Sequence, residues 1–338
     1  MKVFLSKAIR INGKNWKLAC DSTNSQYYPL VFYSHAHSDH IPRKIPSTDI
    51  ITSPITKLLL ENFVKNYEDG NFFDSYSIGE TTFKQKPSGH IVGSTALIID
   101  SSEGKLVYTG DVSMRDKGFL EPFIPEKCDD LIIESTFGSP DYIFPPYSEV
   151  IKEAQDQISY YLENNIPVVL MGYALGKAQM LYNAFSHLSE NIIMHGANFK
   201  INSLLLQENI KGGIQATAYT EAKESEFLSQ SSSWILFTPL KSGRDFFFSY
   251  LKKKYDAKLF AFTGWAISDN YNYRMAVDHS YPISDHADYN ELMEICKNSN
   301  PDRIYTIYGY VTRLAAELRK QGFNATPLSK QTILDSFF

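Results

Sequence analysis

The sequence predicts an α/β fold built in two blocks, on three observations. Residues up to about 135 read mostly as short apolar strands. From Pro145-Pro146 onward, helices alternate with short apolar strands. After Tyr281 the chain returns to one helix–strand–helix run. Alternating helices and apolar strands point to a largely parallel sheet covered on both faces. With 338 residues, 43% of them hydrophobic, the chain can bury one large core or two medium ones.

The first block opens with a hairpin signal: 8–11 and 16–19 are apolar-alternating, and Asn12-Gly13 lies between them. Strands are expected near 30–33, 49–52, 82–85, 96–99, 106–109 and 131–134. One helix interrupts them at about 55–67, where Leu58, Leu59, Phe63 and Val64 share a face. In the second block helices are expected at 148–164, 176–188, 202–208 and 243–255, with strands at 168–171, 192–194, 215–219, 234–237 and 259–263. The closing run reads as helix 289–297, strand 303–307 and helix 312–321.

Composition narrows the function. Thirty-three basic and 38 acidic residues give a formal charge of −5, so the overall field does not attract nucleic acid. Such binding would need a local basic patch or metal ions. Cys20, Cys128 and Cys296 are far apart, which argues against a disulfide framework and a thiolate zinc site. No apolar run reaches the roughly 18 residues of a membrane span, and the N-terminus lacks a signal-peptide core. The expectation is a soluble, cytoplasmic protein without a membrane partner.

The chemistry concentrates in His35-Ala36-His37-Ser38-Asp39-His40, which follows the apolar run 30–33. Residues two apart on an extended chain point the same way, so His35 and His37 can reach one metal ion. Asp39 and His40, past the turn, can reach a second. Imidazole nitrogen and carboxylate oxygen are usual zinc ligands. His90, in a glycine-containing loop, is the natural third imidazole for the first ion. Asp111 follows a strand end and can bridge two ions, although an Asp after Gly also suits an ordinary turn. Glu134 ends the apolar strand 131–134 and is either solvated or placed in a site. His286 lies in Ser284-Asp285-His286-Ala287-Asp288 before a helix. A helix cap explains the acids there, but not the histidine.

These segments resemble the metallo-β-lactamase superfamily, and most closely its nucleic-acid-processing branch, the β-CASP nucleases. The HxHxDH cluster, His90 and Asp111 match the superfamily's metal motifs in order. Glu134 in Ile133-Glu134-Ser135-Thr136 is similar to the first β-CASP motif, and His286 to the second. The stretches 134–138 and 173–179 resemble the ligase-associated DNA exonucleases of prokaryotes, relatives of Artemis-type repair and RNA 3′-end-processing nucleases. The resemblance implies an αββα sandwich formed by 1–145 and 276–338, with an α/β β-CASP cap domain inserted at 146–275. Glu134 and His286, 152 positions apart, flank that insertion.

The resemblance also implies roles. His35, His37, His90 and Asp111 would hold one zinc ion and help activate water. Asp39, His40 and Asp111 would hold a second ion at the scissile phosphate, and Asp39 would also orient the nucleophile. His286 would contact the phosphate or protonate the leaving oxygen, while Glu134 fixes its tautomer and raises its pKa. Tyr308 stands where many members have a further histidine ligand. Tyrosine, with an ordinary pKa of about 10, is a poor ligand, so the second zinc is expected to be weak or labile. Artemis-type relatives share that departure, which favours DNA over RNA.

For substrate holding, Lys177 opens a helix after Gly176, an arrangement suited to phosphate or to plain solvation. Lys241 and Arg244 precede another helix and are further candidates for the nucleic-acid backbone. The implied activity is a zinc-dependent 5′ exonuclease in DNA repair, sharing a pathway with an ATP-dependent DNA ligase and a helicase. The alternatives are an RNA-processing nuclease, a noncatalytic β-CASP partner protein and a small-molecule hydrolase. The intact metal motifs argue against the noncatalytic partner. Glu134, His286 and the insertion argue against small-molecule hydrolysis.

Overall fold

The computed structural model describes residues 1–6, 8–23, 28–64, 66–67, 70–230 and 233–328. The end of the expected closing segment, 329–338, lies outside the described residues. The chain divides into two compact units. One comprises Met1–Arg115, Glu121–Ile143 and His286–Phe338, and the other Asp116–Leu120 and Phe144–Asp285.

The first unit holds two large sheets. One runs in the order Lys2–Leu5, Ile9–Asn12, Lys17–Cys20, Leu30–Phe32, Asp49–Ile51, Asn71–Phe73. The other runs Ala325–Pro327, Arg303–Ile307, Asp130–Glu134, Gly104–Tyr108, Thr95–Ser101, Thr81–Pro87, Tyr76–Ile78. Side chains alternate across a strand, and this alternation divides the cores. Leu97 and Ile99 meet Ile9, Ile11, Leu18 and Phe32 between the sheets. Ala96 and Ile98 face the other way, with Leu131 and Ile133, onto Leu292 and Ile295 of helix Tyr289–Ser299 and Leu314 and Leu318 of helix Val311–Lys320. On the outer face of the first sheet, Val31, Tyr33 and Ile50 cover Leu60 of helix Pro54–Phe63. Each such buried aliphatic side chain stabilises by roughly 1.5–3 kcal/mol.

The second unit is built on one sheet in the order Thr217–Ala218, Ile192–Met194, Ile235–Pro239, Val168–Gly172, Lys258–Phe262, His279–Tyr281, with every neighbouring pair parallel. Helices cover both faces. Val168 and Leu170 pack with Ala154 and Ile158 of Tyr147–Glu163, and Val169 and Met171 with Phe248 and Leu251 of Phe246–Tyr255.

Several elements differ from the expected ones. The first hairpin forms, but Asn12 pairs with Lys17, so the loop is longer than Asn12-Gly13. The helix expected at 55–67 ends at Phe63, because Asn66–Tyr67 pairs as a strand with Lys44–Ile45. Its start one residue early reflects Ser53, which accepts a hydrogen bond from Thr56 N, with Pro54 in the first turn. The helix expected at 202–208 begins at Gly196. Its buried Asn198 and Asn202 hide the apolar stripe, and Asn202 instead bonds the backbone of Ile214 at 2.8 and 2.9 Å. Tyr219 starts a helix instead of ending a strand. All three cysteines are buried and carry no disulfide. Among the described residues, no helix is long and apolar enough to cross a membrane.

Candidate active site

Five strands of the first unit lead into polar residues. Lys17–Cys20 runs into Asp21, Leu30–Phe32 toward His35, Gly104–Tyr108 toward Asp111, Asp130–Glu134 ends on Glu134, and Arg303–Ile307 precedes Tyr308. Within each sheet the neighbours among them are parallel, so their carboxyl ends share an edge. Gly110 lets the two sheets' edges approach: its φ is +57°, and a Cβ there would stand 2.6 Å from Ser34 Cβ.

The donor atoms of His35, His37, His90 and Asp111 all lie within 4.8 Å of one another. Asp111 Oδ2 is 3.4 Å from Nε2 of His35 and of His40, and 3.5 Å from His90 Nε2. His90 Nε2 and His37 Nδ1 are 3.1 Å apart. His35 Nε2 is buried with no hydrogen-bond partner. Burial, together with the neighbouring His40, His90 and His37, holds the His35 pKa well below the ordinary range, so its ring is neutral. Burial pushes Asp111 up to about 7, although His40 and His286 pull it down. A neutral imidazole with a bare nitrogen, facing a buried carboxylate, fits a divalent cation with a nitrogen-rich donor set.

Asp21, absent from the sequence-based set, organises this group from behind. Its Oδ2 accepts hydrogen bonds from Ser34 Oγ at 2.6 Å, Tyr108 OH at 2.6 Å and His40 Nδ1 at 3.0 Å, and its Oδ1 accepts from Ser34 N at 2.7 Å. Ser34 Oγ therefore spends its proton on Asp21 and accepts from His35 Nδ1 at 2.9 Å. This places the His35 proton on Nδ1 and bares Nε2. The same logic protonates His40 on Nδ1. Burial lowers the His40 pKa, but Asp111, Asp21 and Asp39 together raise it to about 10. Asp21 groups geometrically with His35 and His40, but its oxygens are occupied by these donors, so it orients ligands. The only sequence signal for it was an acid directly after a buried apolar strand.

Glu134 and His286 come together across the strand edge. His286 Nδ1 is 2.9 and 3.0 Å from the two Glu134 oxygens. Glu134 is buried and also accepts from Val112 N at 2.7 Å and Thr136 N at 3.2 Å. Burial would raise its pKa, but His286 and these donors lower it below the ordinary value. An ionised Glu134 accepts, so His286 donates from Nδ1. The His286 ring lies 4.4 Å from the His90 ring, and its Nδ1 is 4.0 Å from Asp111 Oδ2.

The remaining expected residues sit differently. Asp39 lies beside the group, its side chain 79% exposed and 3.7 Å from His40 Nε2. Tyr308 packs its ring 4.9 Å from that of His40, and its hydroxyl is 3.3 Å from Tyr108 OH. Burial and the nearby Asp21 push its pKa well above the ordinary range, so it stays a phenol. Lys177, Lys241 and Arg244 belong to the second unit. Lys177, a candidate for phosphate or for plain solvation, is buried: its side chain is 1% exposed and its ammonium is 3.0 Å from Asp285 Oδ1. Lys241 is exposed and 3.9 Å from Asp245. Arg244 donates to the carbonyls of Arg274 and Tyr273 at 2.7 and 3.2 Å.

No family model matches the chain. Individual proteins do. A protein named probable DNA ligase from Opitutus terrae is 29% identical over 309 residues, which is 90% of this chain and 29% of that protein. An RNase J-like protein from Methanocaldococcus jannaschii is 32% identical over 176 residues, 44% of this chain and 41% of that protein. The chain thus spans well under half the length of these two relatives. A crystal structure of a protein of unknown function from Enterococcus faecalis V583 superposes with a TM-score of 0.62 at 15% identity, covering 98% of this chain and 96% of that one. That likeness speaks to the fold alone. These relatives, together with the ordered series of histidines and acids along the chain, fit the β-CASP branch of the metallo-β-lactamase superfamily.

Proposed function

We propose that the chain is a zinc-dependent nuclease that hydrolyses phosphodiester bonds, with DNA as its substrate and the 5′ end as its point of attack. The observation that carries this reading is the Glu134–His286 pair beside the four-donor group, at 2.9 Å from each other and 4.0 Å from Asp111. In this reading residues 1–145 and 276–338 form the αββα catalytic domain, and 146–275 form the β-CASP insertion.

His35, His37, His90 and Asp111 would hold the tighter ion, and Asp39, His40 and Asp111 a weaker one, because Tyr308 offers only a phenol. Zinc bound there would supply Lewis acidity and acidify a water molecule. Asp39, exposed beside His40, orients the attacking water. His286 delivers a proton from Nε2 to the leaving oxygen, while Glu134 keeps the Nδ1 proton in place and offsets the charge of the imidazolium. Lys241 and Arg244 would contact the substrate backbone, and Lys177 would act through Asp285.

The match to a protein named as a DNA ligase supports a role beside an ATP-dependent DNA ligase in repair. The match to an RNase J-like protein favours a second reading, hydrolysis of RNA. Matched DNA and RNA strands, labelled at one end and blocked at either, distinguish them. The DNA reading expects nucleotide release from an unblocked 5′ end of DNA and little from RNA. Preferential digestion of RNA would replace it with the second reading.

A further inference from the structure

The rings of Tyr142 and Tyr310 lie 5.3 Å apart, tilted by 40°, and their hydroxyls are 2.8 Å apart. Tyr310 is 37% exposed. Behind them Phe137, buried, stands 5.3 Å from the Tyr142 ring and 6.1 Å from the His286 ring. A file of aromatic rings therefore runs from the candidate proton donor to the surface of the first unit.

Both tyrosines are tied to the segments that carry Glu134 and His286. Tyr310 N donates to Ser135 O at 2.7 Å, and Ser135 Oγ donates to Ile307 O at 2.8 Å. Tyr289 N donates to Tyr142 O at 3.0 Å, three residues beyond His286. The turn that presents Tyr310 is demanding. Tyr308 has a φ of +55° and Gly309 of +57°, and a Cβ on Gly309 would stand 2.4 Å from Ser135 O. Backbone held in this region is costly and tends to be kept where a side chain must be aimed. The hydrogen bond to Tyr310 pushes the Tyr142 pKa up to about 12, so the Tyr142 hydroxyl is uncharged and does not repel phosphate.

We propose that Tyr142 and Tyr310 form a stacking subsite for the nucleobase next to the scissile phosphate, a proposal that rests on the hydrolase reading above. The two rings are too close to admit a base between them, so the base stacks on the exposed ring of Tyr310, with Tyr142 packed beside it. Stacking on an aromatic ring tolerates any base sequence, as an exonuclease requires. It also requires an unpaired base, so the subsite selects single-stranded ends.

The test is steady-state hydrolysis of single strands, DNA or RNA, whichever the unaltered protein cuts, with zinc content measured for each variant. Tyr142→Ala and Tyr310→Ala should raise KM by about tenfold and leave zinc at the unaltered level. Tyr142→Phe and Tyr310→Phe, which lose the hydroxyl contact but keep the rings, should stay within about twofold. With an abasic residue next to the cleaved bond, the unaltered protein should show the raised KM, and the alanine variants should add nothing further. If the phenylalanine variants fail like the alanine ones, or the alanine effect persists in full on the abasic strand, the pair is only a brace and the proposal falls. If the zinc-loaded protein cuts neither DNA nor RNA, the hydrolase reading falls and takes this subsite with it.

Discussion

His35 Nε2 and Asp111 Oδ2 face each other at 3.4 Å, and that imidazole nitrogen has no hydrogen-bond partner although it is buried. A lone pair aimed at a carboxylate is unfavourable unless a cation lies between them. The protein should therefore retain one tightly held divalent ion per chain through gel filtration, and lose stability when it is stripped. At free zinc 100-fold above Kd, binding stabilises the native state by about 2.7 kcal/mol. Thermal melts with zinc and with chelator measure this directly. Coincident melting curves would remove the metal from the fold.

Asp21 should matter as much as a ligand although its oxygens are taken up by hydrogen-bond donors. It fixes the protons of His35, through Ser34, and of His40. Asp21→Asn should weaken zinc affinity by about 10- to 100-fold, read by competition with a chromophoric chelator. Unchanged affinity would mean that the ligands orient themselves.

Tyr308→His is expected to gain a function. The position has a φ of +55°, which histidine tolerates better than most residues, and its ring already packs 4.9 Å from that of His40. The variant should hold a second zinc ion after dialysis where the parent protein keeps one. Elemental analysis decides it, and an unchanged ratio would show that Tyr308 is not what weakens the second site.

Glu134 ties stability to pH. Its pKa in the folded protein lies below the ordinary value. Its contribution is then complete above about pH 4.5 and is lost as the pH falls through the folded value. In chelator, Glu134→Gln should be less stable than the parent protein at pH 7, and the gap should narrow below about pH 4.5. A gap that stayed constant on urea unfolding at both pH values would mean that the carboxylate charge contributes nothing.

Most of the four-donor group is legible in the sequence because its members are close together or directly follow apolar strands. His35, His37, His90 and Asp111 are of this kind, and the strand endings that place them follow from apolar periodicity. Asp21 was not legible, because an acid after a strand looks like a turn. Its meaning comes from Ser34, His40 and Tyr108, which are 13, 19 and 87 positions away. The surroundings of Lys177 are hidden for the same reason: its ammonium meets Asp285, 108 positions distant. The helix from Gly196 is legible only from about 202, because buried asparagines break its apolar pattern. Tertiary partners overrode local signals in each case.

In the proposed mechanism His286, held by Glu134, moves a proton and does not hold the metal. Zinc content and hydrolysis of an end-labelled DNA strand, measured on the same His286→Ala preparation, test it most directly. Zinc at the level of the parent protein with hydrolysis reduced by about 10²- to 10⁴-fold is the predicted result. Loss of zinc along with activity would make His286 a ligand, and undiminished hydrolysis would remove it from the chemistry altogether.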